Sequence, residues 1–412
     1  MDSLHNQPHG GQLVNQILTD EAREEELRRA CEYPQIVLDH FAVADLELIA
    51  TGALSPLTGF MNHDDYQAVL KRNCLSNGVV WTFPITLNVS EDRYSKLKNG
   101  SRAALIEESG NILGTIRIDD RFRLDKALET QLLYQSKRIK QNGLERLQQG
   151  GEWAVGGEVC LLNRPSYATD SPYRLNPNCV REIFKKLGWK RIVAFQAPNP
   201  ISHSRYSVEK CALEIVDGLF LQPHFTEFGL TSDLFESKIE QHKSFIHYYY
   251  PPTRIILSFL PWVSRHAGPR EVAIEAIIKK NFGCTHYIVA EKQYKMYNFY
   301  TLMDFRRLFD ELAADDLGIT PIFAEETFYC RKCKGIVTAQ NCPHDQLLDE
   351  VMSPSGVNEM LAKGDLPPLE FVENAVVPLL IDSLWNGFDS CNEPLFVDTR
   401  SQLNPKLQRL KQ

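Results

Sequence analysis

The spacing of apolar and polar positions changes character near residue 165. Before that point, apolar residues come in short runs broken by turn formers, which is the pattern of strands. Trp81–Ser90 and Arg102–Ile118 read as strands, the second folded back on a Ser-Gly-Asn turn, and Gly157–Asn163 reads as the last strand of the region. Glu21–Glu32 and His63–Arg72 carry helical spacing, and the loop Ser55–Met61 joins two helical stretches. From about residue 172 strands and helices alternate. Arg191–Phe195, Arg254–Leu260, Thr285–Ala290 and Ile319–Ala324 read as strands. Arg205–Phe220 and Gly268–Phe282 read as helices, the latter with Pro269 in the first turn, where a missing N–H is harmless. Short strands separated by helices predict a parallel, doubly wound sheet. Ligands of such sheets sit beyond the carboxyl ends of the strands. Those ends are residues 196–205, 261–270 and 290–295, expected to line one crevice.

Length and charge narrow the classes. The 412 residues suffice for two or three domains, and the pattern divides them into 1–168, 169–325 and 326–412. A net charge of −8 gives no global basic field, so neither nucleic acid nor a membrane surface is an expected partner. No run of about 18 apolar residues occurs, and the first residues lack a basic stretch followed by an apolar core, so neither a transmembrane helix nor a secretory signal is expected. Ten cysteines, mostly isolated, do not form a disulfide framework, which reads as a cytoplasmic chain.

Two segments carry candidate chemistry. Phe195–Arg205 (FQAPNPISHSR) runs from a strand through a Pro/Asn turn into a helix start, where free N–H groups and the helix dipole favour a phosphate. It lacks a glycine-rich cradle and a lysine. Cys330-x-x-Cys333 followed by Cys342-Pro-His344 has the spacing of a short zinc knuckle, and three thiolates with one imidazole complete a closed tetrahedral shell. A full shell leaves no open position, so this zinc is expected to be structural.

The ordered segments PHGGQLVNQ, DLELIATGALSPLTGFM, WTFPITLNV, FQAPNPI, YYYPPTRIILSFLP, RHAGPREVAIEAIIKKNFGCTHYIV and LGITPIFAEETFYCRKC together resemble the ATP sulfurylase (sulfate adenylyltransferase) family through most of the chain. The resemblance implies a PUA-like, β-rich N-terminal domain, a Rossmann-like nucleotidyltransferase domain and a small C-terminal domain bearing the zinc. It implies ATP or another adenine nucleotide as ligand, with an oxyanion as second substrate, and a homo-oligomer. The family joins ATP and sulfate into adenylyl sulfate and pyrophosphate.

The residues that would bind the anions depart from the family. Its first segment reads Gln-x-Arg-Asn-Pro, one residue, then His-x-x-His. Here Gln196, Asn199 and Pro200 stand, but Pro198 occupies the arginine position and Ser202 and Arg205 the histidine positions, with His203 out of register. The second segment, Gly-Arg-Asp-His-Ala-Gly in the family, is Ala290–Lys295, which puts Glu291 where a cation belongs. The third, Ser-Gly-Thr-x-x-Arg, ends on Asn358. Losing one positioned donor from such a transition state typically costs about 2.7–4 kcal/mol. The expected crevice residues are therefore Gln196, Asn199, Ser202, His203, His266, Gly268, Arg270 and Glu291, with Arg205 and Arg265 as candidate catalytic cations. Three readings follow: an adenylyl-transferring enzyme with a changed acceptor, a non-catalytic nucleotide-binding or regulatory paralogue, and an enzyme running another reaction in specialised sulfur metabolism.

Overall fold

The computed structural model describes residues 7–134, 142–165, 171–196, 203–223, 232–290, 300–312, 314–325, 327–330, 332–344, 351–352 and 360. The N-terminal region contains helices α1 (Asp20–Ala30), α2 (His40–Ala50), α3 (His63–Arg72), α4 (Glu91–Lys96), α5 (Lys126–Glu129) and α6 (Asn142–Gln149). Its strands are β1 (Gln35–Val37), β2 (Gly59–Phe60), β3 (Leu87–Val89), β4 (Arg102–Ile106), β5 (Ile112–Arg117), β6 (Asp120–Arg123) and β7 (Trp153–Leu161). They form one sheet in the order β1-β4-β5-β7-β2, with β3 and β6 also pairing with β7. The expected strand Trp81–Ser90 shortens to β3; Trp81, Phe83 and Ile85 are still buried, but in irregular backbone. The hairpin on the Ser-Gly-Asn turn forms as read, β4 against β5.

The second region is a five-stranded parallel sheet in the order β10-β9-β8-β11-β12. Its strands are β8 (Ile192–Phe195), β9 (Gly218–Leu221), β10 (Ile255–Leu257), β11 (His286–Ala290) and β12 (Thr320–Ala324). Around it lie α7 (Pro177–Leu187), α8 (His203–Leu213), α9 (Ser232–Tyr249), α10 (Pro269–Asn281) and the helix Leu302–Glu311. Helix α7 has clear local signals: the Asn176 side chain caps the Cys179 N–H, Pro177 opens the first turn, and Gly188 ends the helix at φ 71°.

The structure corrects the single helix expected over Arg205–Phe220. Helix α8 ends at Leu213 and β9 begins at Gly218. Two tertiary contacts impose the break. The Asp217 carboxylate accepts the N–H groups of Lys190 and Arg191, pinning this segment beside the start of β8. At Gly218 the Trp189 ring lies within 2.3 Å of where a Cβ would stand, so only glycine allows that packing. The extra strand separates β10 from β8, so β10 is at the sheet edge rather than beside β8.

Beyond β12, β13 (Thr327–Cys330), β14 (Gly335–Thr338) and β15 (Val351–Met352) make a small antiparallel sheet that runs against α8. The helix expected near 357–363 lies outside the described residues, apart from residue 360.

A shared core and a polar seam join the two large regions. Helix α10 is buried along its whole length except at Arg270. Its last residue, Asn281, donates to the carbonyls of Ala53 and Ser55 and accepts the His9 N–H, tying the N-terminal segment down. Two buried carboxylates of α2 meet two arginines of the second region: Asp45 pairs with Arg265, and Glu47 receives both prongs of Arg174.

Candidate functional site: the carboxyl edge of the parallel sheet

Gln196 follows the last residue of β8 and Gln222 the last residue of β9, so the two carboxamides stand side by side at the carboxyl edge. The Gln222 N–H bonds to the Phe195 carbonyl at 2.9 Å. Both side chains are anchored from below by α10 and β11. Gln196 Nε2 lies 3.4 Å from Glu275 Oε1, and the Tyr287 hydroxyl lies 3.3 Å from Gln196 Oε1 and 2.8 Å from Glu275 Oε2. Lys279 Nζ donates to Gln222 Oε1 at 2.7 Å.

This network explains a feature of the sequence that apolar periodicity passes over. Glu271, Glu275 and Lys279 occupy successive turns of α10, at i, i+4 and i+8, and so share one face. All three are buried. Each has its own client. Glu271 accepts the backbone N–H groups of Arg265 (2.7 Å) and Ala267 (2.8 Å) and the Trp262 indole N–H (3.2 Å), which fixes the turn before the helix. Glu275 holds Tyr287 and Gln196, and Lys279 holds Gln222. Burial raises the Glu275 carboxyl above its usual range, and Glu271 adds to that, while Lys279 and the Tyr287 hydroxyl oppose it. Burial lowers Lys279, and Glu275 opposes.

The turn held by Glu271 is strained. His266 stands at φ 55°, and its N–H reaches the Ser264 hydroxyl at 3.3 Å. Gly268 has φ 66° and ψ −137°, open to glycine alone, and a Cβ there would come within 2.2 Å of the Tyr300 ring.

The structure distributes the expected site residues unevenly. Gln196 is at the carboxyl edge of the sheet, and His266 and Gly268 are in the strained turn. Arg265 and Arg270, expected to face the same crevice, are engaged by the N-terminal region. The Arg265 guanidinium is 2 % exposed, paired with Asp45 and stacked 4.2 Å over Trp262, with the rings of Phe41 and Phe83 alongside. Arg270 Nη1 donates to the carbonyls of Leu70 (3.1 Å) and Val69 (3.4 Å) at the C-terminal end of α3, and burial lowers its pKa. It borders an inter-domain cavity of about 260 Å³, also lined by Asn73, Tyr300, Asp304 and Arg307. His203 and Arg205 stand in the first turn of α8, where only the backbone is described; Asn199, Ser202 and Glu291 lie outside the described residues. Gln222, Glu275, Lys279 and Tyr287 escaped the sequence reading. The signal that could have found three of them was charge recurring at i, i+4 and i+8 among the apolar residues of α10, and a tyrosine in a strand buried on both faces.

The Cys/His cluster gathers as its spacing foretold. His344 Nδ1 lies 3.5 Å from Cys330 Sγ, 3.3 Å from Cys333 Sγ and 3.8 Å from Cys342 Sγ, and the last two sulfurs are 3.9 Å apart. A tetrahedral ion with metal–sulfur bonds of about 2.3 Å would separate its ligands by roughly 3.5–3.8 Å. All four ligand atoms lie within 4.8 Å of one another, so the cluster could hold a metal ion.

Comparison with known proteins agrees with this architecture. Residues 6–164 match the PUA-like domain family and residues 171–383 the ATP-sulfurylase family. A sulfate adenylyltransferase of Symbiobacterium thermophilum is 39% identical over 392 residues, covering 95% of this chain and 98% of that protein. One from Nostoc punctiforme is 39% identical over 88% of this chain and 93% of its own length. Among solved structures, a hexameric APS kinase from Thiobacillus denitrificans superimposes with a TM-score of 0.72 at 25% identity, over 91% of this chain and 68% of that one. With its PUA-like N-terminal domain and its parallel-sheet nucleotidyltransferase domain, the chain belongs to the ATP-sulfurylase family.

Proposed function

We propose that this family member keeps an adenine-nucleotide crevice at the carboxyl edge of its parallel sheet and has lost the usual transfer of the adenylyl group to sulfate. The observation that supports this reading joins structure to sequence: α10 holds Gln196 at the end of β8, while in the sequence three separated segments carry Pro198, Ser202, Glu291 and Asn358 where the family has anion-binding groups.

The chemistry makes these changes decisive. Sulfate attacks the α-phosphorus, and negative charge grows on the phosphate oxygens, so donors must already be fixed around them. Proline at 198 supplies neither charge nor donor for a sulfate that suits a planar guanidinium fork. A carboxylate at 291 repels both substrates. Arg205, in the first turn of α8, is a cation that the family's pattern does not carry at that position. Arg265, inside the domain seam, acts on this reading by holding the domains together, and Arg270 by closing the end of α3.

The ligand class is an adenine nucleotide or a small oxyanion. Zinc in the cluster of Cys330, Cys333, Cys342 and His344 has a structural part, since four protein ligands fill a tetrahedral shell. A homo-oligomer is supported by the hexameric relative, and a cytoplasmic setting by the isolated cysteines. No helix among the described residues is long and apolar enough to cross a membrane.

The test is calorimetric titration of zinc-replete protein with ATP and adenylyl sulfate, paired with pyrophosphate release over a panel of oxyanions. The expected result is binding of at least one nucleotide without sulfate-dependent pyrophosphate release. Turnover with sulfate would overturn the loss of activity, release with another oxyanion would identify a changed acceptor, and no binding at millimolar ligand would remove the crevice reading.

A further inference from the structure

The buried amide of Gln222 is held by one end. Its Oε1 accepts from Lys279, which decides which way round the carboxamide sits, while its Nε2 has no hydrogen-bond partner among the described residues. The residue is 0% exposed. A buried donor left unsatisfied carries the cost of its lost hydration with nothing in return. A lysine, itself fully buried, holds the opposite end of this amide, which stands at the carboxyl edge next to Gln196. That is the layer in which open parallel sheets receive ligands.

We propose that Gln222 is a ligand-recognising residue of the crevice, donating through Nε2 to an oxyanion oxygen of the bound nucleotide, and that Lys279 is its positioning residue. This deepens the crevice reading and rests on it. Glu275 and Tyr287 do for Gln196 what Lys279 does for Gln222. Gln196 is fixed at both ends of its amide, by Glu275 and Tyr287, and Gln222 at one end, by Lys279, so the pair presents a preset pattern without reorganising on binding. Preorganised donors in a site shielded from water hold charge better than solvent does.

The probes are ATP, adenylyl sulfate and inorganic pyrophosphate, titrated into full-length, zinc-replete protein. Gln222→Leu should weaken the tightest probe about tenfold, the effect of one lost hydrogen bond to a charged oxygen. Lys279→Met should lose a similar factor by freeing the amide, while Lys279→Arg, which keeps a donor to Oε1, should recover most of it. Thermal melts of the same variants separate folding from binding. If Lys279→Met is unfolded, Gln222→Glu serves as the second variant: it keeps the size and the Lys279 partner but replaces the donor with an acceptor, and should abolish binding of the anion. Wild-type affinity in folded Gln222→Leu or Gln222→Glu overturns the recognising role. Wild-type affinity in Lys279→Met overturns the positioning role. If the wild-type chain binds none of the probes, the crevice reading fails and the recognising role with it. The positioning claim is then decided by the side-chain amide resonance of Gln222, which must shift and exchange faster in Lys279→Met; an unchanged resonance overturns it.

Discussion

The seam between the two large domains and the small Cys/His sheet hold together by different means. The seam encloses an extensive apolar core around α2 and α10, with Trp81, Trp262, Leu46 and Ile274 fully buried, and sets its ion pairs and the Asn281 contacts inside it. The small sheet has little to bury. Phe328 and Cys330 lie inside, β14 is half-buried throughout, and Cys333 is exposed. Packing against α8 is the main apolar support of these short strands, which leaves room for a metal link to add stability. Where apolar burial is ample, charges can be placed for orientation; where it is scarce, a metal held by the Cys/His cluster could supply stability.

The largest effect should come from the small sheet. Stripping metal with a chelator, or Cys333→Ser, should remove on the order of 10 kcal/mol of apparent metal-binding free energy. Hydrogen exchange should then lose protection across Thr327–Thr338 while the backbone of α10 stays protected; protection lost equally in both would merge the two regions into one unit.

A smaller loss is expected at the seam. Arg265→Ala leaves Asp45 as a buried, uncompensated charge and should cost about 3–5 kcal/mol in urea unfolding. The double variant Arg265→Met with Asp45→Leu should recover most of it, because an apolar pair of similar volume removes both desolvation costs. Failure to recover would mean that the charges do more than fill the space.

His9 sharpens the contrast through pH. Its Nε2 lies 2.6 Å from the Val80 carbonyl, and burial lowers its pKa from 6.5 to about 4, with Lys280 contributing in the same direction. The folded state therefore keeps His9 neutral where the unfolded chain takes up a proton. Stability from this group is complete above pH 6.5 and falls as pH drops towards 4, by about 3 kcal/mol at most. Denaturation curves of His9→Gln against pH should be flatter over that window.

Two smaller effects bracket the strained turn. Gly268→Ala should cost about 1–3 kcal/mol from backbone strain, before the Tyr300 ring moves to admit the methyl group. Thr82→Val removes the hydroxyl that donates to the Arg270 carbonyl at 2.7 Å and should cost about 1 kcal/mol. A neutral Gly268→Ala in a thermal melt would show that the turn relaxes without loss.

Local pattern determined a good deal of this protein. The strand–helix alternation after residue 172 was legible because each element buries a continuous or periodic apolar face, and the Cys/His cluster because ligand spacing is a short-range property. Helix α10 was legible as a helix from the same spacing. What α10 does was not. Glu271, Glu275 and Lys279 differ little in sequence from solvated surface charges, and only folding puts each against its own partner. Strand β9 was misread for the same reason, since the N–H groups of Lys190 and Arg191, which Asp217 accepts, and the Trp189 ring act on its start from the start of β8. The tertiary structure also decided where the arginines went. Sequence sets Arg265 and Arg270 beside a strand end, but packing of the second domain against α2 and α3 offers them a carboxylate and free helix carbonyls. Buried charges settle where partners can satisfy them, and those partners are distant in the chain.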